Sequence, residues 1–495
     1  MFCILHEMPL ESLLAANSSF ADNRTLANVV PTSTPTTRDA HALHVNLERC
    51  QQSQDPSVEH HVLVIGSSMA MGWLNCKSFA AGPLMSCNPR PSLAWPSKLE
   101  NLLRDTFPLC NVRVLRMLSR GVDSTWAAHS LPYSFNVVAK GKRLLAAILD
   151  TSVNDFIAVQ GSRTLEPFKT RQAAVEAVTL RLRKEHVPLL LMESIFPLRP
   201  GTATNCSQLA DVDVPRSLLY TAVANRYGTM HLSFKAAVCA ASQPGPDMHW
   251  RAGCSLKGKQ LDVPGWGCAQ HPGPTTHEMY ALLIAHAFAG VALARRDSFR
   301  SSTADDVLPP PVQTAERLSK FQYCGSDLQT DLSFVYRNDK LNTNRFPAIK
   351  EGRTAGGWQA REDVAGKAGW IATGANEPQV AFRISGSIRK SVVTLLYLRS
   401  YECMGRARVW LHDDMQRAHT LDGLWESRSS QTAFAPIPLA ELCGASCQAK
   451  VADAASARET HPLHLQLLPP PANATGCDTN KFKLLAIRTC VSAAR

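Results

Sequence analysis

Four short apolar segments in the first half of the chain constrain its fold more than any other feature of the sequence. Each has the length of a buried β-strand, and the stretches between them place apolar residues at helical spacing. The four segments are residues 61–66, 112–118, 144–149 and 187–192, and the clearest helical stretches are residues 96–107, 170–184 and 276–296. Strands that are apolar on both faces and alternate with helices are typical of a parallel sheet covered on both sides. The sequence therefore predicts an α/β domain with a mainly parallel sheet.

The rest of the chain has a different texture on either side of this domain. Residues 1–59 are polar and rich in turn-forming residues, which predicts a disordered or weakly structured N-terminal tail. Residues 297–323 are rich in prolines and charges and are typical of a linker. From residue 324 to residue 495, short strand-like runs are separated by Gly, Asp, Asn and Pro. We therefore expect the α/β domain to span residues 60–296 and an all-β sandwich to span residues 324–495.

Composition excludes several classes of protein. With 45% hydrophobic and 19% charged residues in a chain of 495, the sequence predicts packed globular cores rather than a disordered polymer. The longest apolar-leaning run, residues 281–294, is shorter than the ~20 residues of a membrane span, so we expect no transmembrane segment. The net charge of +11 is spread without a basic block, so we expect no nucleic-acid partner. The chain also lacks zinc-protease and P-loop motifs, and we expect neither a metal nor a cofactor.

The cysteines and short glycosylation motifs favour the secretory pathway or the extracellular space. Four Asn-x-Ser/Thr acceptors occur, at Asn17, Asn23, Asn205 and Asn473. Three pairs of cysteines are close enough in sequence to be candidate disulfides, namely Cys76/Cys87, Cys443/Cys447 and Cys477/Cys490. Residues 1–20, however, lack the basic start and the compact apolar stretch of a signal peptide.

A serine stands where the first predicted strand ends. The strand runs into Gly66-Ser67-Ser68, and open parallel sheets bind ligands at the carboxyl ends of their strands. A serine on a turn into a helix lies beside unpaired main-chain N–H groups, which favour a developing oxyanion. The alternative is a Gly-Ser turn that only caps a helix.

Three further residues in this domain complete a set for nucleophilic catalysis. Gly121 follows the second strand, Asn154 follows the third, and His271 precedes the last helix. A serine nucleophile needs a base such as imidazole, and N–H donors where the carbonyl oxygen becomes negative. We therefore predict Ser68 as nucleophile, His271 as base, and the Gly121 N–H and the Asn154 amide as oxyanion donors.

In these blocks the sequence resembles the SGNH (GDSL-type) hydrolases, which share a Gly-Asp-Ser start, a lone Gly, a Gly-x-Asn-Asp block and an Asp-x-x-His-Pro block. The resemblance covers roughly residues 61–296. It implies a flavodoxin-like three-layer α/β/α fold. It also implies Ser68 as nucleophile, His271 as base, and an oxyanion hole formed by Ser68 N–H, Gly121 N–H and Asn154.

The sequence departs from this family at three positions. Ser67 and Ser152 replace an Asp and a Gly that carry no chemistry, whereas Cys268 replaces the acid that holds the histidine tautomer. Disabling that acid costs roughly 10⁴ in turnover in serine hydrolases. A main-chain oxygen, Asp262 or Asp247 are the candidates to orient His271 instead, and Cys268 is a further supporting candidate. His277 is the alternative base.

These observations favour a serine esterase that removes small, acetyl-type acyl groups, with carbohydrate as the expected carrier. The alternatives are a polysaccharide O-acyltransferase and a non-catalytic glycan-binding protein whose first domain is degenerate. In the second domain, the Trp358, Trp370, Tyr397 and Tyr401 motifs resemble a sandwich appended to SGNH proteins of algal and oomycete type. Such rings either stack on sugars, which would give polysaccharide binding by this domain, or fill its core.

Overall fold

The structure is a computed structural model, and it describes a little over half of the chain. The described residues are 37–53, 55, 57–67, 70–71, 91–118, 121–139, 141–160, 165–194, 219–234, 274–294, 309–319, 321, 330–333, 336–337, 340–341, 357–364, 367–374, 376–389, 391–400, 403–424, 430–444, 460–470 and 480–491. By its internal contacts the chain divides into two compact units. The first comprises Met1–Leu118 and Val138–Ala315, and the second comprises Ser119–Val137 and Glu316–Arg495.

The regular elements alternate in the first half of the chain and become almost entirely β in the second. The helices are α1 Arg38–Gln52, α2 Trp95–Thr106, α3 Ser124–Ser134, α4 Ser152–Gln160, α5 Glu166–Lys184, α6 Pro274–Leu293 and α7 Ala315–Ser319. Strands β1–β8 are Glu59–Gly66, Asn111–Leu118, Arg143–Asp150, Leu189–Glu193, Met230–Ser233, Thr330–Ser333, Tyr336–Arg337 and Lys340–Leu341. Strands β9–β17 are Trp358–Val364, Lys367–Thr373, Gln379–Ser385, Ser391–Arg399, Arg406–Leu411, His419–Asp422, Gln431–Pro438, Thr460–Leu467 and Lys481–Val491. Residues 219–227 are also helical.

The first unit is built on a five-stranded parallel sheet with the order β2-β1-β3-β4-β5. Its central strands β1, β3 and β4 are almost completely buried because helices cover them. One helical group, α1, α2 and α6, packs together and against β2 and β3, while α4 and α5 pack on each other and on β4. This strand order is that of flavodoxin-like folds. The predicted α/β/α architecture is therefore confirmed, and each of the four predicted strands ends within a residue of its position in the structure.

Helix α1 lies inside the segment for which the sequence predicted a tail. Thr37 caps its first turn, its hydroxyl oxygen accepting from the Ala40 N–H at 3.1 Å. The helix buries Ala40, Leu43, His44, Leu47 and Cys50. A disulfide joins Cys50 to Cys110, just before β2. The segment Arg38–Gln52 is therefore a helix and not a tail, because α1 has a buried face of its own.

The second unit contains two antiparallel sheets that share one core. One sheet has the order β15-β12-β17-β10-β9 with β6 beside β17, and the other has the order β11-β16-β13-β14. Apolar side chains from both sheets form a single buried cluster, for example Val393 and Leu395 of β12 with Leu463 and Leu465 of β16. Two sheets packed through such a cluster form a sandwich. The predicted β-sandwich is confirmed.

The aromatic residues flagged as sugar-stacking candidates are largely parts of this core. Trp358 is buried, and its indole N–H donates to the Pro378 carbonyl oxygen at 2.8 Å. Tyr397 is buried with its ring stacked on Phe482, and Trp370 packs at the edge of the same cluster against Phe382. Tyr401 lies outside the described residues. Trp358 and Tyr397 therefore fill the core, and their rings are not exposed to bind a sugar.

Helix α3 is part of the second unit although it follows β2 in sequence. The ring of His129 on α3 lies 4.6 Å from that of Phe434 on β15 and 5.1 Å from that of Phe321. Ala433 and Ala435 of β15 pack against the sandwich core, so the alternation of side chains along a strand puts Phe434 on the outer face of that sheet. Helix α3 therefore packs on the outside of the six-stranded sheet.

Among the described helices, none is both long and apolar enough to span a bilayer.

Candidate active site

The first strand reaches the carboxyl edge of the sheet beside the end of β3. Gly66 and Asp150 are partners in the register of β1 and β3, and the Ser67 N–H donates to the Asp150 main-chain oxygen at 3.2 Å. A Cβ on Gly66 would lie 2.8 Å from the Ala70 Cβ, so a glycine is needed for the chain to turn here. The predicted nucleophile Ser68 comes directly after Ser67 but lies outside the described residues.

Asn154 lies in the first turn of α4, which starts at the same edge of the sheet. The Asn154 and Asp155 N–H groups both donate to the Thr151 carbonyl oxygen, at 3.1 Å. The Thr151 hydroxyl donates to the Asp155 carboxylate at 3.0 Å, and the Tyr220 hydroxyl donates to the same oxygen. These bonds hold the first turn of α4 in place. Because β1 and β3 are neighbours, Asn154 and the chain that leads to Ser68 leave the sheet at adjacent points.

Asp150 is a buried carboxylate at this edge that the sequence analysis did not single out. Its side-chain oxygens accept hydrogen bonds from Trp95 Nε1 at 3.0 Å and from the Ser194 hydroxyl at 3.1 Å. Burial raises the pKa of Asp150 to about 6, and the two hydrogen bonds partly oppose this rise. The one sign in the sequence is a charged residue that directly follows the apolar segment 144–149. Its partners Trp95 and Ser194 are distant in the chain, so only the fold reveals them.

Gly121, the predicted oxyanion donor, lies three residues after β2. Its φ of 70° falls in the left-handed region, where glycine is strongly favoured. Asp123 follows as the N-cap of α3, and its carboxylate accepts from the Thr125 and Trp126 N–H groups at 3.1 and 3.2 Å. The turn that carries the Gly121 N–H is thus fixed by a special backbone conformation and by a capped helix.

His277, the alternative base, lies in the first turn of α6 and is fully buried. Its Nδ1 accepts a hydrogen bond from the Trp95 main-chain N–H at 3.3 Å. A neutral imidazole that accepts on Nδ1 carries its proton on Nε2. Since neither nitrogen of this tautomer is then free to take a proton from a serine, the geometry favours a structural role for His277.

The remaining predicted residues lie outside the described part of the chain. For the site these are Ser68, His271, Asp247, Asp262 and Cys268. The four glycosylation acceptors and, of the predicted cysteine pairs, Cys76, Cys87, Cys447 and Cys477 also lie outside it. Cys403 and Cys443 are disulfide-bonded. Within the described residues, no group of three His, Cys, Asp or Glu side chains is placed to hold a metal ion.

Comparison with solved structures extends across both units. The chain superposes on a two-domain esterase active on acetylated mannans with a TM-score of 0.50 and 13% identity, over 91% of this chain and 96% of that chain. A structure of the esterase co-crystallised with mannopentaose gives a TM-score of 0.49 and 14% identity over 91% and 95%. The acetyl xylan esterase AlAXEase gives a TM-score of 0.32 and 11% identity, over 46% of this chain and 98% of that chain.

No family model matches the sequence, and the search of curated proteins found no match. The comparison therefore rests on structural similarity alone, and this similarity concerns the fold. The chain shares its two-domain fold with the acetylmannan-active esterase, and consists of an α/β domain with a five-stranded parallel sheet and a β-sandwich.

Proposed function

We propose that the protein is a serine esterase that hydrolyses small acyl esters, acetyl esters above all, on carbohydrate. The observation that carries the proposal is the meeting of two segments at the carboxyl edge of the sheet. The Ser67 N–H donates to the end of β3, so the chain leaves β1 at Gly66-Ser67 beside the strand that leads to Asn154. Ligands of open α/β sheets bind at this edge.

The proposed reaction is acyl transfer to water in two steps. The Ser68 hydroxyl attacks the ester carbonyl carbon while His271 takes its proton, and the resulting oxyanion accepts from the Ser68 N–H, the Gly121 N–H and the Asn154 amide. Collapse of this intermediate breaks the bond to the sugar oxygen, which leaves with the proton from His271. Water then attacks the acyl-serine in the same way and releases the acid. Each oxyanion donor contributes about 2.7–4 kcal/mol in comparable enzymes.

The group that orients His271 is part of the proposal. Because Cys268 stands in place of the family's acid, a main-chain oxygen, Asp262 or Asp247 must hold the imidazole nitrogen that points away from Ser68. Separate Asp247→Asn and Asp262→Asn variants distinguish these candidates. Loss of turnover in one variant alone identifies the carboxylate, and full turnover in both assigns the role to the main chain.

The substrate class rests on the structural neighbour that extends over both units, since that esterase acts on acetylated mannans. Acetylated mannan is therefore the first substrate to test. The Cys50–Cys110 disulfide and the bonded Cys403 and Cys443 support an oxidising compartment, because disulfides persist there and are rare in the cytosol. We place the enzyme in the secretory pathway or outside the cell.

A labelling experiment tests the nucleophile. The purified protein is expected to hydrolyse p-nitrophenyl acetate, to release acetate from acetylated mannan and to take up one serine-directed fluorophosphonate. Ser68→Ala should abolish all three activities. Ser67→Ala is the matched control, because the Ser67 hydroxyl is buried without a hydrogen-bond partner among the described residues and its removal should leave labelling intact.

The outcomes separate the alternatives. Equal labelling of the parent and of Ser68→Ala would reject Ser68 as nucleophile. Acetyl transfer to an added oligosaccharide in excess of acetate release would select the acyltransferase. A parent that binds acetylated mannan but neither turns over nor becomes labelled would identify a glycan-binding protein with a degenerate first domain.

A further inference from the structure

We propose that Asp150 is a positioning residue of the esterase site, whose buried carboxylate fixes the segments that carry the catalytic groups. The inference rests on the proposed function and deepens it. Asp150 is not expected to touch the substrate. It acts through the residues that it holds, which belong to α2, the end of β4 and the turn after β1.

Burial of the Asp150 carboxylate costs folding free energy, which indicates that the residue has a role other than stabilising the core. The residue is only 1% exposed, and its carboxylate is solvated by two neutral donors, the Trp95 indole and the Ser194 hydroxyl. Among the described residues, no positively charged side chain contributes to the shift in the pKa of Asp150. A buried carboxylate without a cation is destabilising relative to an apolar side chain of similar size. Such groups are characteristic of functional sites.

The first connection runs from the carboxylate through Trp95 to the segment of the proposed base. Trp95 is the first residue of α2 and is fully buried, and its indole N–H is anchored on Asp150. The main-chain N–H of the same residue donates to His277 Nδ1. His277 lies in the first turn of α6, six residues after His271. The carboxylate thus fixes the point from which the chain leads back to His271.

The second connection runs through Ser194 to the proposed oxyanion donor. The Ser194 hydroxyl donates to Asp150, and the Ser194 N–H donates to the Ser152 hydroxyl oxygen at 2.8 Å. Ser152 is the first residue of α4, the helix that carries Asn154 in its first turn. The Asp150 carboxylate therefore also restrains the start of α4.

The third connection is through the main chain of Asp150, which accepts from the Ser67 N–H next to Ser68. Three segments that are far apart in sequence thus meet at this residue. A misplacement of reacting groups by about 1 Å can cost ~10²-fold in rate. Loosening Asp150 should accordingly lower turnover more than it lowers substrate affinity.

The experiment compares Asp150 with a matched carboxylate at the opposite edge of the same sheet. The Asp39 carboxylate accepts from the main-chain N–H of Leu189, the first residue of β4, and burial raises the pKa of Asp39 to about 6 as well. Asp150→Ala should lower kcat for p-nitrophenyl acetate and the fluorophosphonate labelling rate at least ~10-fold, with KM within about threefold. Asp39→Ala should lower the melting temperature by a similar amount but leave kcat within about twofold.

Two milder variants keep the inference testable if Asp150→Ala does not fold. Asp150→Asn keeps an acceptor for the indole N–H and should recover part of the lost kcat. Trp95→Phe removes the Nε1–H donor, together with part of the buried ring, and should lower kcat in the same direction as Asp150→Ala.

The outcomes distinguish failure of the positioning role of Asp150 from failure of the proposed esterase function. A parent that is labelled at Ser68, together with Asp150 variants whose kcat equals that of the parent or falls no further than that of Asp39→Ala, would overturn the inference alone. A parent that is not labelled at Ser68 would overturn the proposed function and, with it, the role of Asp150. Selective loss of kcat in the Asp150 and Trp95 variants supports both.

Discussion

The imidazole of His277 and the carboxylate of Asp150 are joined by one tryptophan, which uses its two N–H groups in different directions. The Trp95 main-chain N–H donates to His277 Nδ1, and its indole N–H donates to Asp150 Oδ2. Both acceptors are buried, so loss of either leaves a donor of Trp95 without a partner. We therefore expect His277 to stabilise the α2–α6 contact, and His271 remains the proposed base.

This assignment predicts a separation of stability from activity. His277→Ala should destabilise the protein by ~1–3 kcal/mol, the cost of an unsatisfied buried donor. His277→Asn, whose side-chain oxygen can occupy the position of Nδ1, should recover most of that loss. His277→Asn should keep kcat within about threefold of the parent, and His277→Ala should lower kcat no further than Asp150→Ala does, because both break the chain of hydrogen bonds through Trp95. His271→Ala, in contrast, should lose turnover almost completely. Steady-state kinetics at matched folded fractions checks the ranking, and the opposite ranking would move the base to His277.

The candidate site was predictable only where its residues follow strands directly. Ser68, Gly121 and Asn154 were predicted because each comes soon after an apolar strand, and the structure confirms those strands and their parallel order. The hydrogen bonds of Asp150 to Trp95 and Ser194 join residues 55 and 44 positions apart. No local pattern records which partners meet over such separations, because the packing of α2 and β4 decides it.

At the scale of elements, α1 has the cap and the apolar spacing of an amphipathic helix, although the polar composition of its segment predicted a tail. Thr37 is an N-cap residue, Asp39 lies in the first turn, and the buried Ala40, Leu43 and Leu47 recur at helical spacing. The segment is nevertheless polar on average, because its other face carries histidine, asparagine, arginine and glutamate. Amphipathic spacing identifies such a helix better than composition does.

Helix α3 leads to a prediction about pH. Burial, followed by the nearby Arg488, lowers the pKa of His129 to about 3, whereas an unfolded histidine titrates near 6.5. Between these values the unfolded chain binds the proton and the folded protein does not. Stability is therefore lost as the pH falls from 6.5 towards 3. Between pH 7 and pH 5 this loss is on the order of 2 kcal/mol.

Replacing the titrating ring tests this prediction. His129→Phe should reduce the difference between the unfolding free energies at pH 7 and pH 5, as measured by urea denaturation. The aromatic contacts to Phe321 and Phe434 can persist in this variant. His419→Phe, at an exposed position on β14, is the matched control and should keep the pH dependence of the parent. An unchanged pH dependence in His129→Phe would contradict the assignment.

At the scale of the whole molecule, the sequence revealed the two architectures but not the way in which the chain visits them. The change from alternating helices and strands to short strands predicted an α/β domain before a sandwich, and both are present. The contacts of Ser119–Val137, however, group that segment with the second unit. The chain therefore passes between the units three times. Sequence patterns divide a chain only into consecutive segments. They therefore do not reveal that residues 119–137, which lie within the first predicted domain, belong to the second unit.

The last prediction follows from the grouping of residues 119–137 with the second unit. A truncated chain of residues 1–315 keeps α3 but lacks Phe321 and Phe434, so the face of α3 around His129 loses its cover. We expect this fragment to melt at a lower temperature than the full chain and to bind an apolar dye such as ANS. The turn at Gly121 directly precedes α3, so p-nitrophenyl acetate hydrolysis should fall even where the fragment is folded. A fragment that is monomeric, melts like the full chain and retains full esterase activity would show that residues 119–137 need nothing from the sandwich.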